Sequence, residues 1–82
     1  MGARLYVGNL SHDATAGGLK AAFSAHGEVS EVHIVLHRDT GEPRGFAFVT
    51  MSTAEQASTA VTKMNGAVID GRPLRVNAAG KR

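Results

Sequence analysis

Three of the four aromatic residues in this chain alternate with smaller residues in two segments that have the composition of β-strands. One segment is residues 44–51, RGFAFVTM, and the other is residues 5–10, LYVGNL. Successive side chains on a strand point to opposite faces, so Phe46 and Phe48 share one face of their strand. By the same alternation, Tyr6 lies on the face opposite its aliphatic neighbours. The two segments therefore predict a sheet with one aliphatic face and one aromatic face.

The order of the remaining segments predicts how that sheet is built. Strand-like and helix-like patterns follow one another as β-α-β-β-α-β, the order of the ferredoxin-like α+β fold. In this fold both helices cover one face of a four-stranded antiparallel sheet, with the first and third strands adjacent at its centre. The predicted strands are 4–8, 28–37, 44–51 and 74–77; the predicted helices are 15–26 and a segment between 52 and 65; a connector spans 67–72.

Local signals predict the helix ends. Thr15 is expected to cap the first helix and Gly27 to end it. The sequence Ser52-Thr53-Ala54-Glu55 has the form of a capping box and is expected to open the second helix. Asn65-Gly66 is expected to end that helix.

The aromatic face could be the buried one instead of the open one. Aromatic side chains are more often buried than exposed, which by parity alone would favour burial of Phe46 and Phe48 by roughly two to one. That arrangement, however, would turn Ala47 and Val49 outward. The alternation on all four strands agrees with the opposite assignment, so we predict exposed aromatic rings. The residues expected to face the helices are Leu5, Val7, Leu19, Phe23, Val32, Ile34, Leu36, Val49, Val61, Leu74 and Val76.

Composition limits the possibilities further. The chain has 82 residues, a formal net charge of +2 and no cysteine, which predicts one small domain without a disulfide framework or zinc ribbon. We expect a monomer in a reducing compartment, the cytoplasm with the nucleus as the alternative. No apolar run is long enough to cross a membrane, and the N-terminus lacks the pattern of a signal peptide.

The polar residues do not predict a catalytic or metal site. His33 and His37 share a strand face, but four residues along a strand span roughly 13 Å, too far for one metal ion. The loop 9–14 has no arginine or glycine run to hold a phosphate, as an acylphosphatase-like enzyme on this scaffold would need. Glu28 and Glu31 are interpreted as solubilising residues. We therefore predict a protein that is not an enzyme and needs no cofactor.

Two signatures give the chain a family resemblance. Residues 44–51 match the pattern K/R-G-F/Y-G/A-F-V-x-F/Y at every specified position but the last, where Met51 stands. Residues 5–10 match the family's shorter signature, and residues 71–76 are similar to its closing segment. The chain resembles the RNA recognition motif family over nearly its whole length. The resemblance implies a single domain over 1–82, with a core at 4–78 and a basic tail at 79–82.

The resemblance also implies roles for individual residues. Tyr6 and Phe48 match positions that stack under bases, and Phe46 matches one that packs against sugars. Arg44 matches a phosphate-binding cation, and the last strand matches a segment that contacts base edges. Basic and polar residues near these positions complete the predicted RNA-binding set, which is Arg4, Tyr6, His33, Arg44, Phe46, Phe48, Arg75, Asn77, Ala78, Lys81 and Arg82.

Three classes of function are compatible with a domain of this fold. The expected function is binding of single-stranded RNA, with single-stranded DNA as an alternative because every base has a face that can stack. A protein-binding module of the same fold is the second class, and such modules usually lack the exposed aromatic residues. A small enzyme is the third class, which the missing phosphate loop disfavours.

Overall fold

The computed structural model describes residues 3–11, 14–36, 38–41, 43–69 and 71–79, without the side chains of Pro43 and Arg44. The strands of the main sheet lie in the order β2-β3-β1-β6, and each neighbouring pair is antiparallel. The predicted ferredoxin-like α+β fold is confirmed, with the first and third strands at the centre. Its elements are β1 (Arg4–Gly8), α1 (Ala16–Ser24), β2 (Val29–Leu36), β3 (Pro43–Met51), α2 (Ala54–Met64), β4 (Val68–Ile69), β5 (Arg72–Pro73) and β6 (Arg75–Ala78).

The two helices bury the aliphatic face of the sheet. Helix α1 packs against β2, and α2 packs against β1, β3 and β6. Most of the predicted core is confirmed, and Phe23, Val7, Val49 and Val76 are fully buried. Val32, Ile34 and Val61 are only partly buried and pack at the edge of this cluster. The buried hydrophobic residues are Leu5, Val7, Leu10, Leu19, Phe23, Val29, Ala47, Val49, Met51, Ala57, Ala60, Met64, Leu74 and Val76.

Two irregularities interrupt the pairing of β2 with β3, and the first changes which side chains of β2 face the core. Val29 pairs with Met51 and Glu31 pairs with Thr50, so Ser30 is an extra residue in β2. Such a bulge reverses the alternation of the strand. A second register shift follows Ile34. The prediction that Leu36 belongs to the buried set is wrong: its side chain is 51% exposed, at the end of β2 beyond a shift whose extra residues lie in β3.

The capping residue of α1 was predicted correctly. The Thr15 hydroxyl accepts a hydrogen bond from the Gly18 N–H at 3.0 Å. The helix ends at Ser24, two residues earlier than predicted. Gly27 follows with a φ of +155°, and a Cβ at this position would lie 2.8 Å from Cβ of Gln56. The helix therefore ends before Gly27, with Ala25 as its C-cap, and the glycine allows the following turn to pack closely against the start of α2.

Helix α2 begins one residue later than the capping box predicted. Its N-cap is Thr53, whose hydroxyl accepts from the Gln56 N–H at 3.1 Å. Ser52 still belongs to the sheet edge, since its N–H donates to the Glu28 carbonyl at 2.8 Å. The Gln56 side chain in turn accepts from the Glu28 N–H at 3.0 Å. These two bonds join Ser52 and Gln56 to the same residue, Glu28, and Thr53 between them is the residue that caps the helix. The helix ends at Met64, followed by Asn65 and Gly66 as predicted.

The connector predicted over 67–72 is a two-stranded hairpin. Val68 pairs with Pro73 and Ile69 with Arg72. The Leu74 N–H donates to the Ala67 carbonyl at 2.8 Å, so the chain enters β6 from an ordered hairpin. Two-residue strands are too short to be identified by alternation.

Candidate nucleic-acid interface

Three aromatic rings form one cluster on the sheet face that the helices leave open. The ring centre of Tyr6 lies 5.5 Å from that of Phe46 and 6.2 Å from that of Phe48. The two phenylalanine rings are 6.0 Å apart and perpendicular. Each of the three residues is only half-buried. These separations are typical of favourable aromatic pairs, so the rings support one another while presenting apolar surface to solvent.

The pairing of the strands explains why the rings meet. Tyr6 on β1 lies directly opposite Phe48 on β3, and Asn77 on β6 lies on the other side of Tyr6. His33 on β2 pairs with Phe48. The sheet therefore carries a row of four side chains across its open face, in the order His33, Phe48, Tyr6, Asn77. The sequence predicted the face of each residue but not this alignment, which depends on strand register.

Gly8 controls the position of the Tyr6 ring. A Cβ on Gly8 would lie 2.8 Å from the Tyr6 hydroxyl oxygen and 2.9 Å from its Cε2 atom. Real Cβ atoms do not approach other atoms so closely. The ring therefore lies over Gly8, two residues along the same strand, in space that any side chain would fill. Sequence reasoning missed this role, although the glycine of LYVGNL was a visible signal.

A second row of side chains borders the Phe48 ring. Thr50 pairs with Arg4 on one side and with Glu31 on the other. The central carbon of the Arg4 guanidinium lies 4.3 Å from the centre of the Phe48 ring, a cation–π contact. Together these residues surround a depression of about 350 Å³ in the open face, lined by Arg4, Glu31, His33, Phe48 and Thr50.

The residues of β6 divide between the two faces. Arg75 pairs with Gly8 and is exposed on the open face, as is Asn77. Ala78 pairs with Leu5, and its side chain lines a groove beside α2. The side chain of Ala78 therefore lies on the helix-covered face, and the predicted contact of Ala78 with RNA would come from its backbone.

Asn9 joins the end of β1 to the small hairpin. It adopts a positive φ of 62°, which is uncommon for a residue other than glycine. Its side-chain amide donates to the Pro73 carbonyl at 2.7 Å and accepts from the Arg72 guanidinium at 3.1 Å. Arg72 was not among the predicted site residues. The bond to Asn9 places this additional cation at the end of β1.

Several predicted site residues cannot be placed in this way. The backbone of Arg44 lies in β3, but its side chain is outside the described part of the structure. Lys81, Arg82 and His37 also lie outside the described residues. Among the residues that are described, no group of three or more metal-ligating side chains comes together. No helix in the described ranges is long and apolar enough to cross a membrane.

Comparisons with known proteins agree with this geometry. The family model described as RNA recognition motif matches residues 5–75. RbpD of Nostoc sp., an RNA-binding protein by name, is 50% identical over 78 residues, which are 95% of this chain and 83% of RbpD. The 28 kDa chloroplastic ribonucleoprotein of Nicotiana sylvestris is 44% identical over 79 residues, covering 96% of this chain. This chain spans only 29% of the length of that relative.

The solved structures show the same fold. The chain aligns with a Sxl-lethal protein/RNA complex with a TM-score of 0.91 and 28% sequence identity. The alignment covers 100% of this chain and 49% of that one.

Proposed function

Because this chain belongs to the RNA recognition motif family, we propose that it binds single-stranded RNA on the open face of its sheet. The observation that carries the proposal is the cluster of Tyr6, Phe46 and Phe48, whose ring centres lie within 6.2 Å of one another on the face opposite the helices. A soluble domain has little reason to expose three adjacent aromatic rings unless a ligand covers them. Unstacked bases are suitable ligands because they stack on aromatic side chains.

The proposed contacts follow from the two rows of side chains. Bases stack on Tyr6 and Phe48, and Phe46 packs against the sugars between them. Asn77 and Arg75 lie beside Tyr6 and Gly8, where their polar groups can hydrogen-bond to base edges or phosphates. Arg44, Lys81 and Arg82 remain predicted phosphate contacts, on the basis of the sequence alone.

Two further parts complete the proposal. The domain acts as a monomer, and it binds nucleic acid without chemically altering it, which the ribonucleoprotein and RNA-binding names of its relatives support. RNA is favoured over single-stranded DNA by the names of the relatives, which are RNA-binding proteins and ribonucleoproteins. The reducing compartment predicted from the sequence, cytoplasmic or nuclear, stays a prediction, and the named Nicotiana relative is chloroplastic.

A direct test uses the single tyrosine as a reporter. The chain has one tyrosine and no tryptophan, so its tyrosine fluorescence comes from Tyr6 alone. Titration with a pool of randomised RNA octanucleotides should quench this emission as a base stacks on the ring. Fluorescence anisotropy with labelled RNA and DNA pools of the same design should give a lower Kd for RNA.

The control for this test lies on the far side of the domain. Lys63 is exposed in the last turn of α2, which packs on the opposite face of the sheet. Lys63→Ala should bind RNA as the unmodified protein does. If RNA neither quenches Tyr6 nor raises the anisotropy at high protein concentration, the open face serves another ligand, and a protein partner becomes the better proposal.

A further inference from the structure

The depression beside Phe48 contains hydrogen-bonding groups that the stacking of bases does not use. Arg4 supplies a fork of N–H donors and Glu31 supplies two carboxylate acceptors, with Thr50 between them on the central strand. Adjacent strands are about 4.8 Å apart, so the backbones of Arg4 and Glu31 lie about 10 Å apart with Thr50 between them. Side chains that start this far apart can reach opposite edges of one base that lies between them.

The bulge at Ser30 is what turns Glu31 toward this depression. Val29 is buried, so without an extra residue Glu31 would also point to the helix side. The extra residue reverses the alternation and sets Glu31 opposite Thr50. The Ser30 hydroxyl donates to the Thr50 carbonyl at 3.1 Å and holds the bulge against β3. Bulges commonly re-aim side chains in this way near functional sites.

The carboxylate of Glu31 is available to a ligand. Within the described ranges, no hydrogen bond or ion pair engages the Glu31 side chain, which is exposed. Arg4 makes no ion pair with it and lies instead over the Phe48 ring. An acidic side chain so close to a surface that binds RNA repels phosphates. It is therefore better suited to contact a base than the backbone of the RNA.

Only one of the four RNA bases matches this pair of groups at both edges. Guanine presents two adjacent N–H donors, at N1 and N2, which suit a carboxylate, and two adjacent acceptors, at O6 and N7, which suit an arginine fork. Adenine and cytosine offer a single amino group beside an acceptor. Uracil has one N–H between two carbonyl oxygens, which a carboxylate repels.

We propose that this depression selects guanine for the nucleotide that stacks on Phe48. This proposal rests on the proposed RNA binding and specifies the base that occupies that position. Guanine displaces the Arg4 guanidinium from the ring face, its N1–H and N2–H donate to Glu31, and the released guanidinium donates to O6 and N7. Glu31, interpreted from the sequence as a solubilising residue, thus becomes a specificity-determining residue.

The test compares heptauridine with three heptamers that carry guanine, adenine or cytosine at the central position. Affinities are measured by fluorescence anisotropy for the unmodified protein, Glu31→Gln and Glu28→Gln. Glu28 is a matched control, because it is an exposed acid immediately before the same strand and outside the depression. The unmodified protein and Glu28→Gln should bind the guanine heptamer about tenfold more tightly than heptauridine. Glu31→Gln should lose most of this preference while still binding RNA.

A fourth heptamer tests the contact itself. Inosine lacks the N2 amino group of guanine, so replacing guanine by inosine should weaken binding to the unmodified protein severalfold. The same replacement should weaken binding to Glu31→Gln much less, because an uncharged amide offers one acceptor oxygen where the carboxylate offers two. If the unmodified protein binds all heptamers alike, or if Glu31→Gln keeps the guanine preference, the inference is overturned while RNA binding stands. If no heptamer binds, the proposed function itself fails.

Discussion

At the scale of single residues, Phe48 is contacted by three side chains of the open face. Its ring touches those of Tyr6 and Phe46, and the Arg4 guanidinium lies 4.3 Å from its centre. In the free domain Arg4 therefore occupies a surface that a base would use. Binding exchanges one favourable contact for another, so the net gain from stacking on Phe48 includes the loss of a cation–π contact.

Replacement of this ring should weaken binding more than folding. Phe48→Ala should reduce RNA affinity by about 1–3 kcal/mol, the usual contribution of one base–aromatic stack. The ring is half-buried on an open face, so the loss of stability should stay below the ~3–5 kcal/mol typical of a phenylalanine removed from a packed core. Anisotropy titrations and urea unfolding followed by circular dichroism measure the two effects. An unfolded Phe48→Ala, or one with unchanged RNA affinity, would show that the open face has been misassigned.

Gly8 provides a test of ring position that removes no aromatic group. In Gly8→Ala the new methyl group meets the Tyr6 ring at about 2.8 Å, so the ring must move away from the strand. RNA affinity should fall by about 1 kcal/mol or more, the lower end of the value of a stack. Quenching of Tyr6 by RNA should decrease in parallel. Gly17→Ala is the matched control, because a Cβ there meets nothing within 4 Å and lies on α1. Equal quenching in Gly8→Ala and the unmodified protein would contradict the role given to Gly8.

At the scale of elements, the helices and strands depend on contacts between segments as well as on local sequence. Ser52 and Thr53 can both cap a helix. The choice between them depends on Glu28, which precedes β2: its carbonyl accepts from the Ser52 N–H, and its N–H donates to the Gln56 side chain.

The capping assignment can be tested by two neighbouring substitutions. Thr53→Ala removes the acceptor of the Gln56 N–H and should destabilise the domain by about 1 kcal/mol. Ser52→Ala should change stability by only a few tenths of a kcal/mol, because the contribution of Ser52 to the sheet edge is its backbone N–H. Urea unfolding of both variants distinguishes the two residues. A larger loss for Ser52→Ala than for Thr53→Ala would restore the capping box read from the sequence.

The same elements show what the sequence alone could predict. The β-α-β-β-α-β order and the outward face of Phe46 and Phe48 follow from alternation within a segment, and both were predicted correctly. The bulge at Ser30, and the exposure of Leu36 after the second shift, depend on how β2 pairs with β3. Neither has a local signal. The positions of Glu31 and of the Tyr6 ring depend on strand pairing and on side-chain rotamers. The sequence therefore predicted which side chains share the open face, but not how they are arranged on it.

At the scale of the whole molecule, the domain separates stability from binding. The helices and the aliphatic sheet face form the core, in which Phe23 is fully buried, and the opposite face carries the aromatic cluster and exposed arginines. A net charge of +2 is too small to attract RNA strongly unless the basic residues are concentrated on one face. What matters is that Arg4, Arg75 and the backbone of Arg44 lie on strands of the face where RNA is proposed to bind.

This distribution of charge predicts a moderate dependence of binding on salt. If Arg44, Arg75 and the tail at 79–82 neutralise about three phosphates, log affinity should fall with log salt concentration with a slope of about −2 for a single strand. Arg44→Ala should reduce the magnitude of the slope by about 0.7 and weaken binding to all RNA sequences alike, because phosphate contacts carry no base information. Lys63→Ala, with its charge removed from the helix side, should leave the slope unchanged. The measurement is a series of anisotropy titrations between low and moderate KCl. A slope near zero for the unmodified protein would mean that phosphates contribute little, and the aromatic face would then be better explained as the docking surface of a protein partner.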